Sequence, residues 1–353
     1  MKIYFDNIMF SIAKSVGVPN VWANLIQRVD NSNGFECVNI EYPHATDYFV
    51  RKGLNLKTVL NRRGFPQIVR YINPIINDNN PFIFHSSSYR VCNNPNAINI
   101  TTVHDFIYEK FSRGIRVVVH SWQKFNAIRK SDFVACISEN TRNDLLHYLP
   151  DVNPEKVKVI YNGVSDKYRP IKNKNDDKSK DYILFVSGRS ASKRFDLALE
   201  AVVRTGMKLV MVGKPLSKEE IILLDDKIGR DRYKQFSGIS DEELNILYNN
   251  AYCLLYPSMY EGFGIPVIEA QNAGCPVIAY NSSSIEEIIG ETPLLMKEPT
   301  IDEIMRGIHL LKNKDERKAI IDQGLLNAHR FSWNKMAKEY MELYNFAYDK
   351  RMH

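Results

Sequence analysis

Residues 256–270 read Tyr-Pro-Ser-Met-Tyr-Glu-Gly-Phe-Gly-Ile-Pro-Val-Ile-Glu-Ala, and they follow the short apolar run 253–256. A run of that length and character suits a buried strand. Gly262 and Gly264 then mark a turn, and Pro266 suits the first turn of a helix, where its missing N–H is no loss. Strand, glycine turn and helix start together present unpaired backbone N–H groups at one point, which is a ready anion site. Glu261 precedes the turn, and Glu269 lies about one helical turn beyond it. That spacing sets the two at opposite ends of a ligand, not side by side as an acid–base pair.

The same strand-then-helix rhythm extends in both directions. Short apolar runs occur at 3–5, 82–85, 98–103, 133–137 and 157–160, and again at 182–186, 208–212, 253–256 and 276–279. Continuous runs separated by helical stretches indicate parallel strands covered on both faces, so the fold class is α/β with doubly wound sheets. Residues 170–180 read PIKNKNDDKSK and bury little, which marks a linker. The organisation read from this is a Rossmann-like domain over 1–168, a linker over 169–181 and a second Rossmann-like domain over 182–333. A helix over 334–353 continues an apolar stripe that begins at Trp333, and the first domain is one surface that could cover it.

Composition excludes several classes. The chain has 353 residues, enough for two such domains, with 44% hydrophobic and 25% charged residues, so it is neither disordered nor fibrous. Its five cysteines are scattered, without a Cys-x-x-Cys pair, and read as reduced thiols. No apolar run approaches the length of a membrane span, and Asp6 breaks the N-terminal apolar stretch, so a cytoplasmic chain without a signal peptide is expected. A net charge of +6 with dispersed aromatics does not point to nucleic acid. There is no Asp-x-Asp, no His-x-x-x-His, no P-loop and no Gly-x-Ser-x-Gly, so no metal or cofactor is implied. Gly262-x-Gly264 also lacks the third glycine of a dinucleotide fingerprint, because Val267 stands there.

The pair Glu261 and Glu269, with Gly-Phe-Gly-Ile-Pro between them, resembles the signature of retaining GT-B glycosyltransferases of family 4, also called glycosyltransferase group 1. The Arg189-x-x-x-Lys193 and His104-Asp105 variants look like those of bacterial polysaccharide and O-antigen assembly enzymes. The resemblance implies two Rossmann-like domains facing across a cleft and a nucleotide-diphosphate sugar as donor. It implies that Glu261 lies at the donor sugar, that the amides of Gly262, Phe263, Gly264 and Ile265 hold sugar hydroxyls and phosphate, and that Glu269 accepts from the ribose hydroxyls. The stretch Phe185-Val-Ser-Gly188-Arg189-Ser-Ala-Ser-Lys193 resembles the family's glycine-arginine and lysine pair. Arg189 and Lys193 would then sit on the donor diphosphate beside Gly188. The departing diphosphate gains charge in the transition state, and fixed cations stabilise it. Thr101-Thr102-Val103-His104-Asp105 resembles the segment that places a histidine near the donor sugar, with Asp105 either orienting His104 or meeting the acceptor.

Weaker matches complete the site. Gly17 is the remaining glycine of a loop, 16–19, that carries two in the family it resembles, and the resemblance implies that Ile239 in 237–240 would border the base. Ser87, Tyr89 and Arg90 follow another strand and are candidates for the acceptor.

The resulting expectation is a metal-independent retaining hexosyltransferase, with GDP-mannose or a UDP-sugar as donor and a glycan or lipid-linked saccharide as acceptor, in cell-surface polysaccharide synthesis. A nucleotide-sugar epimerase or hydrolase on a similar fold and a non-catalytic nucleotide-sugar binder are the alternatives. Residues 51–70 hold six cations and no Asp or Glu, interleaved with apolar residues. Such a segment suits an anionic membrane on the inner face of the plasma membrane, or else is an ordinary helix with a solvated basic face.

Overall fold

The computed structural model describes residues 1–13, 17–171 and 180–353. The chain divides into two compact units, Met1–Gly163 with Trp333–His353, and Val164–Ser332. Each is built on a wholly parallel sheet, as continuous apolar runs require.

The first unit contains β1 (Lys2–Asp6), β2 (Glu36–Glu41), β3 (Val59–Asn61), β4 (Phe82–Ser86), β5 (Ala97–Val103), β6 (Phe133–Cys136) and β7 (Val157–Val159). Their order is β3-β2-β1-β4-β5-β6-β7. The direction of winding reverses between β1 and β4, and ligands of such sheets sit beyond the carboxyl ends at that point. Every residue of β4 and β5 is buried.

A search for apolar runs passes over β2 and β3. β2 reads Glu-Cys-Val-Asn-Ile-Glu, and two of its polar residues are buried because each has a dedicated partner. Asn39 Nδ2 donates to Thr58 O at 3.2 Å, and Glu41 accepts from Arg51 Nε. β3 is an edge strand, exposed at every residue. The basic segment 51–70 is therefore not one helix: it runs from the end of helix Phe49–Lys52 through β3 to helix Pro66–Val69. Several of its cations are engaged within the protein, since Arg51 is buried on Glu41, Lys57 Nζ donates to Asp30 O, and Arg62 Nη2 donates to Ile75 O at 2.9 Å.

The last helix, Trp333–Met352, lies on this first unit and buries Trp333, Met336, Tyr340 and Tyr344. Its tyrosines reach the sheet. Tyr344 Oη is 2.7 Å from His85 Nδ1, His85 Nε2 is 2.9 Å from Thr102 Oγ1, and Thr102 Oγ1 is 2.9 Å from Tyr340 Oη. Burial holds His85 neutral, with its pKa lowered to about 3, so a chain of uncharged hydrogen bonds joins the C-terminal helix to β4 and β5.

The second unit contains β8 (Tyr182–Val186), β9 (Lys208–Val212), β10 (Tyr233–Phe236), β11 (Cys253–Tyr256), β12 (Val277–Tyr280) and β13 (Leu295–Met296), in the order β10-β9-β8-β11-β12-β13. β10 and β13 form the edges, and neither carries a long apolar run. Two helices here start on reciprocal caps: Ser217 with Glu220, and Ser240 with Glu243. Each such cap stabilises its helix by about 1 kcal/mol.

The division between units falls after Gly163, earlier than the 168 read from sequence, because Tyr168 belongs to the second core. It is buried, packs edge-on against Tyr248 at 5.9 Å and donates to Asp241 Oδ1 at 3.2 Å. Most of the anticipated linker, 172–179, lies outside the described residues, as does Val16 of the glycine loop.

Candidate functional site

In the second unit, the motif residues all follow the carboxyl ends of neighbouring strands. Gly188, Arg189 and Lys193 come after β8, residues 257–264 after β11, Gly213 and Lys214 after β9, and Gly238 and Ile239 after β10. The loop after β8 is the centre, because β8 lies between β9 and β11.

That loop is tied to both neighbours. Met259 N donates to Ser192 O at 2.8 Å, and Lys193 Nζ lies 2.6 Å from Glu261 Oε1. Arg189 turns the other way. Its Nε donates to Glu220 Oε1 at 2.7 Å and its Nη2 to Glu220 Oε2 at 3.1 Å, while Nη2 also meets Lys214 O and Pro215 O. The Arg189 side chain is only 6% exposed, yet Nη1 has no hydrogen-bond partner among the described residues. The guanidinium holds the Glu220 carboxyl below its ordinary pKa. Two largely buried cations thus stand at the strand ends, each balanced by a carboxylate. Arg194, next in sequence, is instead engaged with Asp196.

The glycine turn has a conformational reason. Gly264 sits at φ 92°, the left-handed region, immediately before helix Ile265–Asn272, and a Cβ there would stand 2.7 Å from Ile285 Cδ1. Gly188 differs, since a Cβ would meet open space. The turn is braced from the segment after β12 by three consecutive serines that sequence reading did not single out. Ser282 Oγ donates to Ser258 O at 2.7 Å, Ser283 Oγ accepts from Glu261 N at 2.8 Å, and Ser284 Oγ donates to Glu261 O at 3.0 Å. The Phe263 ring is buried edge-on against Phe331 at 5.6 Å, which leaves its backbone, the part the resemblance assigns to the ligand, as the group that could serve one. Glu269 accepts from Tyr248 Oη at 3.0 Å, and burial raises its pKa to about 7. Ser237 Oγ donates to Gly213 O at 2.7 Å, which joins the loop before Ile239 to that after β9.

In the first unit, His104 and Asp105 follow β5. Burial, and then the charge of Lys124, lower the His104 pKa to about 4, so the imidazole is neutral and offers one donor and one acceptor. Asp105 Oδ1 accepts from Ile107 N at 3.0 Å and closes the turn into helix Ile107–Phe111. Beneath them lies Lys124, with a fully buried side chain that sequence reading missed. Its Nζ donates to Asp105 O at 2.9 Å and to Glu109 Oε2 at 2.8 Å, and stands 4.4 Å from the Phe106 ring centre. Its pattern offered no signal, since Lys124 and Glu109 meet only when two helices pack.

Two acceptor candidates are corrected. Arg90 is buried: Nη1 lies 3.3 Å from Asp6 Oδ1 and Nη2 donates to Tyr42 Oη at 2.9 Å. Ser87 is also buried, donating to Asp6 O at 2.7 Å and accepting from Met9 N at 3.0 Å. Both brace the end of β1: Arg90, with Ser86 Oγ donating to Asp6 Oδ2 at 2.6 Å, partners a carboxylate that could not be buried alone, and Ser87 ties the Asp6 carbonyl. Tyr89 stays half-buried, edge-on to His120 at 5.5 Å. Gly17 opens helix Gly17–Asn31 beyond β1, with open space where a Cβ would stand.

Comparison with known proteins follows these positions. The family model described as "Glycosyl transferases group 1" matches residues 166–341, and that described as "Glycosyltransferase Family 4" matches 19–168. The chain is 33% identical to O-antigen chain mannosyltransferase B of Escherichia coli over 119 residues, which is 33% of this chain and 31% of that protein. It is 29% identical to the MMP alpha-(1→4)-mannosyltransferase of Mycolicibacterium hassiacum over 208 residues, 56% of this chain and 50% of that one. The matches therefore span half or less of these two relatives. Among solved structures, Anabaena HepE in complex with UDP-glucose superposes with a TM-score of 0.72 at 14% identity, covering 97% of this chain and 99% of that one. That likeness is one of fold: the GT-B arrangement of two Rossmann-like sheets.

Proposed function

Because the chain belongs to the group 1, family 4 glycosyltransferases, we propose that it transfers a hexose from a nucleotide-diphosphate sugar to a glycan or lipid-linked saccharide, with retention of configuration. Cell-surface polysaccharide synthesis is the setting that the relative named for the O-antigen chain suggests, and because both relatives are named mannosyltransferases GDP-mannose is the first donor to try, ahead of a UDP-sugar.

The observation that carries this reading is the placement of Arg189 and Lys193 on one loop at the sheet's carboxyl edge, with Lys193 against Glu261 and the left-handed Gly264 opening the next helix. A diphosphate would draw on Arg189 Nη1, on Lys193 Nζ and on the amides near Gly264. The sugar would lie at Glu261 and the ribose at Glu269. On this reading, the acceptor oxygen bonds to the anomeric carbon as the bond from that carbon to phosphate breaks on the same face. The acceptor proton passes to a donor phosphate oxygen, and the nucleoside diphosphate leaves. His104, held neutral, is suited to a sugar hydroxyl rather than to carrying a proton. The two cations supply the charge that a metal supplies elsewhere, so EDTA should leave turnover unchanged.

The test is a thermal-shift series with GDP, UDP, GDP-mannose and UDP-glucose, since a ligand bound to the folded state raises the midpoint. A shift with one base, followed by an acceptor-dependent product whose anomeric configuration matches the donor's, supports the proposal. Donor turnover at the same rate without any acceptor would point to the hydrolase or epimerase instead, and no shift with any of the four removes the donor site.

A further inference from the structure

The first unit carries a surface that the donor chemistry does not use. Helix Ile115–Lys130 buries Gln123, Lys124, Ala127 and Ile128 on one face. Its opposite face holds Ile115, Val118 and Trp122, spaced by three and four residues and 76%, 62% and 65% exposed. A soluble helix places its apolar stripe inward; this one has a second stripe pointing out. Beside it, the segment after β3 exposes Phe65, Ile68 and Ile75, at 76%, 62% and 76%. The two elements touch: Gln123 Nε2 donates to Arg70 O at 2.6 Å. So many large apolar side chains exposed on adjoining elements mark an interaction surface, not incidental exposure.

Charge identifies the occupant. Residues 51–75 and 110–122 contain nine Lys and Arg and no Asp or Glu, in a chain whose totals are 47 basic and 41 acidic residues. Some of those cations are engaged inside, Arg51 by Glu41 and Lys110 by Asp144. Lys52, Arg63, Arg113 and Arg116 are exposed. Exposed aromatic and aliphatic side chains flanked by cations, with no acid among them, complement an anionic interface with hydrocarbon just beneath it. No helix among the described residues is long and apolar enough to cross a membrane, so the contact would be peripheral.

We propose that the face formed by helix Ile115–Lys130 and the segment after β3 docks on an anionic phospholipid surface, with Ile115, Trp122 and Phe65 entering the interface and Arg63, Arg113 and Arg116 facing headgroups. The docking face takes in the later part of the basic segment 51–70 and adds helix Ile115–Lys130 to it. Helix Ile107–Phe111 connects this face to His104 and Asp105, so docking holds that loop at the bilayer, where a lipid-linked acceptor resides. The surface itself does not depend on which donor is used.

The test is flotation of the full chain with phosphatidylglycerol–phosphatidylethanolamine vesicles, and separately with phosphatidylcholine vesicles. The chain should float with the first and not the second, and added salt should release it. The pair Ile115→Ser with Trp122→Ser, and the pair Arg113→Glu with Arg116→Glu, should each weaken partitioning by about tenfold or more. Their melting midpoints should stay close to the parent's, because all four side chains are exposed. Three results overturn the proposal: failure to float with either vesicle; anionic binding that both pairs leave intact; or a dimer in sedimentation velocity that Ile115→Ser with Trp122→Ser dissolves without any vesicle binding by the parent, which would assign the face to self-association.

Discussion

Lys193 Nζ lies 2.6 Å from Glu261 Oε1, with both side chains mostly buried, and this contact joins the loops that follow adjacent strands β8 and β11. Each group is the other's counter-charge while no anion is bound. A diphosphate would compete with Glu261 for the lysine, which frees the carboxylate to meet the sugar. Lys193→Ala should therefore act twice. Turnover should fall by about 100- to 1000-fold, the range for removing one charge-stabilising donor. Stability should fall by roughly 1–3 kcal/mol, because Glu261 is left partly buried and unpaired. Urea unfolding of Lys193→Ala, Glu261→Ala and the double variant should give a coupling of about 1 kcal/mol or more. Zero coupling means the pair is not formed in solution.

Glu220 grips Arg189 through Nε and Nη2 and leaves Nη1 without a partner among the described residues, so it fixes the direction of the guanidinium. It also caps helix Lys218–Ile228, accepting from Ser217 N at 2.8 Å. The two roles separate by substitution. Glu220→Gln retains a capping side chain but loses the charge; Ser217→Ala loses half the cap and leaves the grip on Arg189. We expect Glu220→Gln to weaken nucleotide-sugar binding by roughly tenfold, about 1.4 kcal/mol for a charge-assisted contact. Ser217→Ala should lower stability by about 1 kcal/mol with little change in binding. Equal binding losses in both, measured by calorimetry, would show that Glu220 acts only through the helix.

Glu269 titrates near pH 7, raised from the ordinary carboxyl value by burial. On the proposed donor pose, ribose hydroxyls would donate to the ionised carboxylate, and the protonated form would lose acceptor capacity. Binding should strengthen as pH rises from about 6 to 8, approaching tenfold per unit on the acid side of the transition. A nucleotide sugar is the right probe, because its diphosphate has no terminal ionisation in that range. In Glu269→Gln the pH dependence should flatten and binding at pH 8 should weaken. A parent whose affinity is level from pH 6 to 8 refutes this role.

Gly264 and Gly188 make a paired comparison. Gly264→Ala places a side chain at φ 92° and crowds Ile285, so stability should fall by about 1–2 kcal/mol along with donor binding. Gly188→Ala meets open space at an ordinary φ, and stability should stay within about 0.5 kcal/mol of the parent. A loss of donor binding in Gly188→Ala therefore reports on the ligand's approach to the backbone. If thermal melts instead show the Gly188 variant to be the less stable of the two, the turn is not held as described.

Amino-acid order alone set out the buried strands: β8 and β11 read as unbroken apolar runs, and β4 and β5 as mainly apolar ones, because such strands are covered on both faces. It also placed Gly188, Arg189, Lys193, Glu261 and Gly264 just beyond strand ends, since their loops follow those runs directly. Edge strands β3 and β13 were hidden, as a strand with one open side or two residues needs no such run. What only tertiary structure decided was which polar groups meet. Arg90 looked like an acceptor contact until Asp6, 84 residues away, was found beside it; Glu220 became the partner of Arg189, and Tyr344 that of His85 across 259 residues. Hydrophobic periodicity is local and survives in the linear order. The pairing of buried charges depends on which strands lie side by side, and a parallel sheet sets that by crossovers that leave no trace between the paired residues.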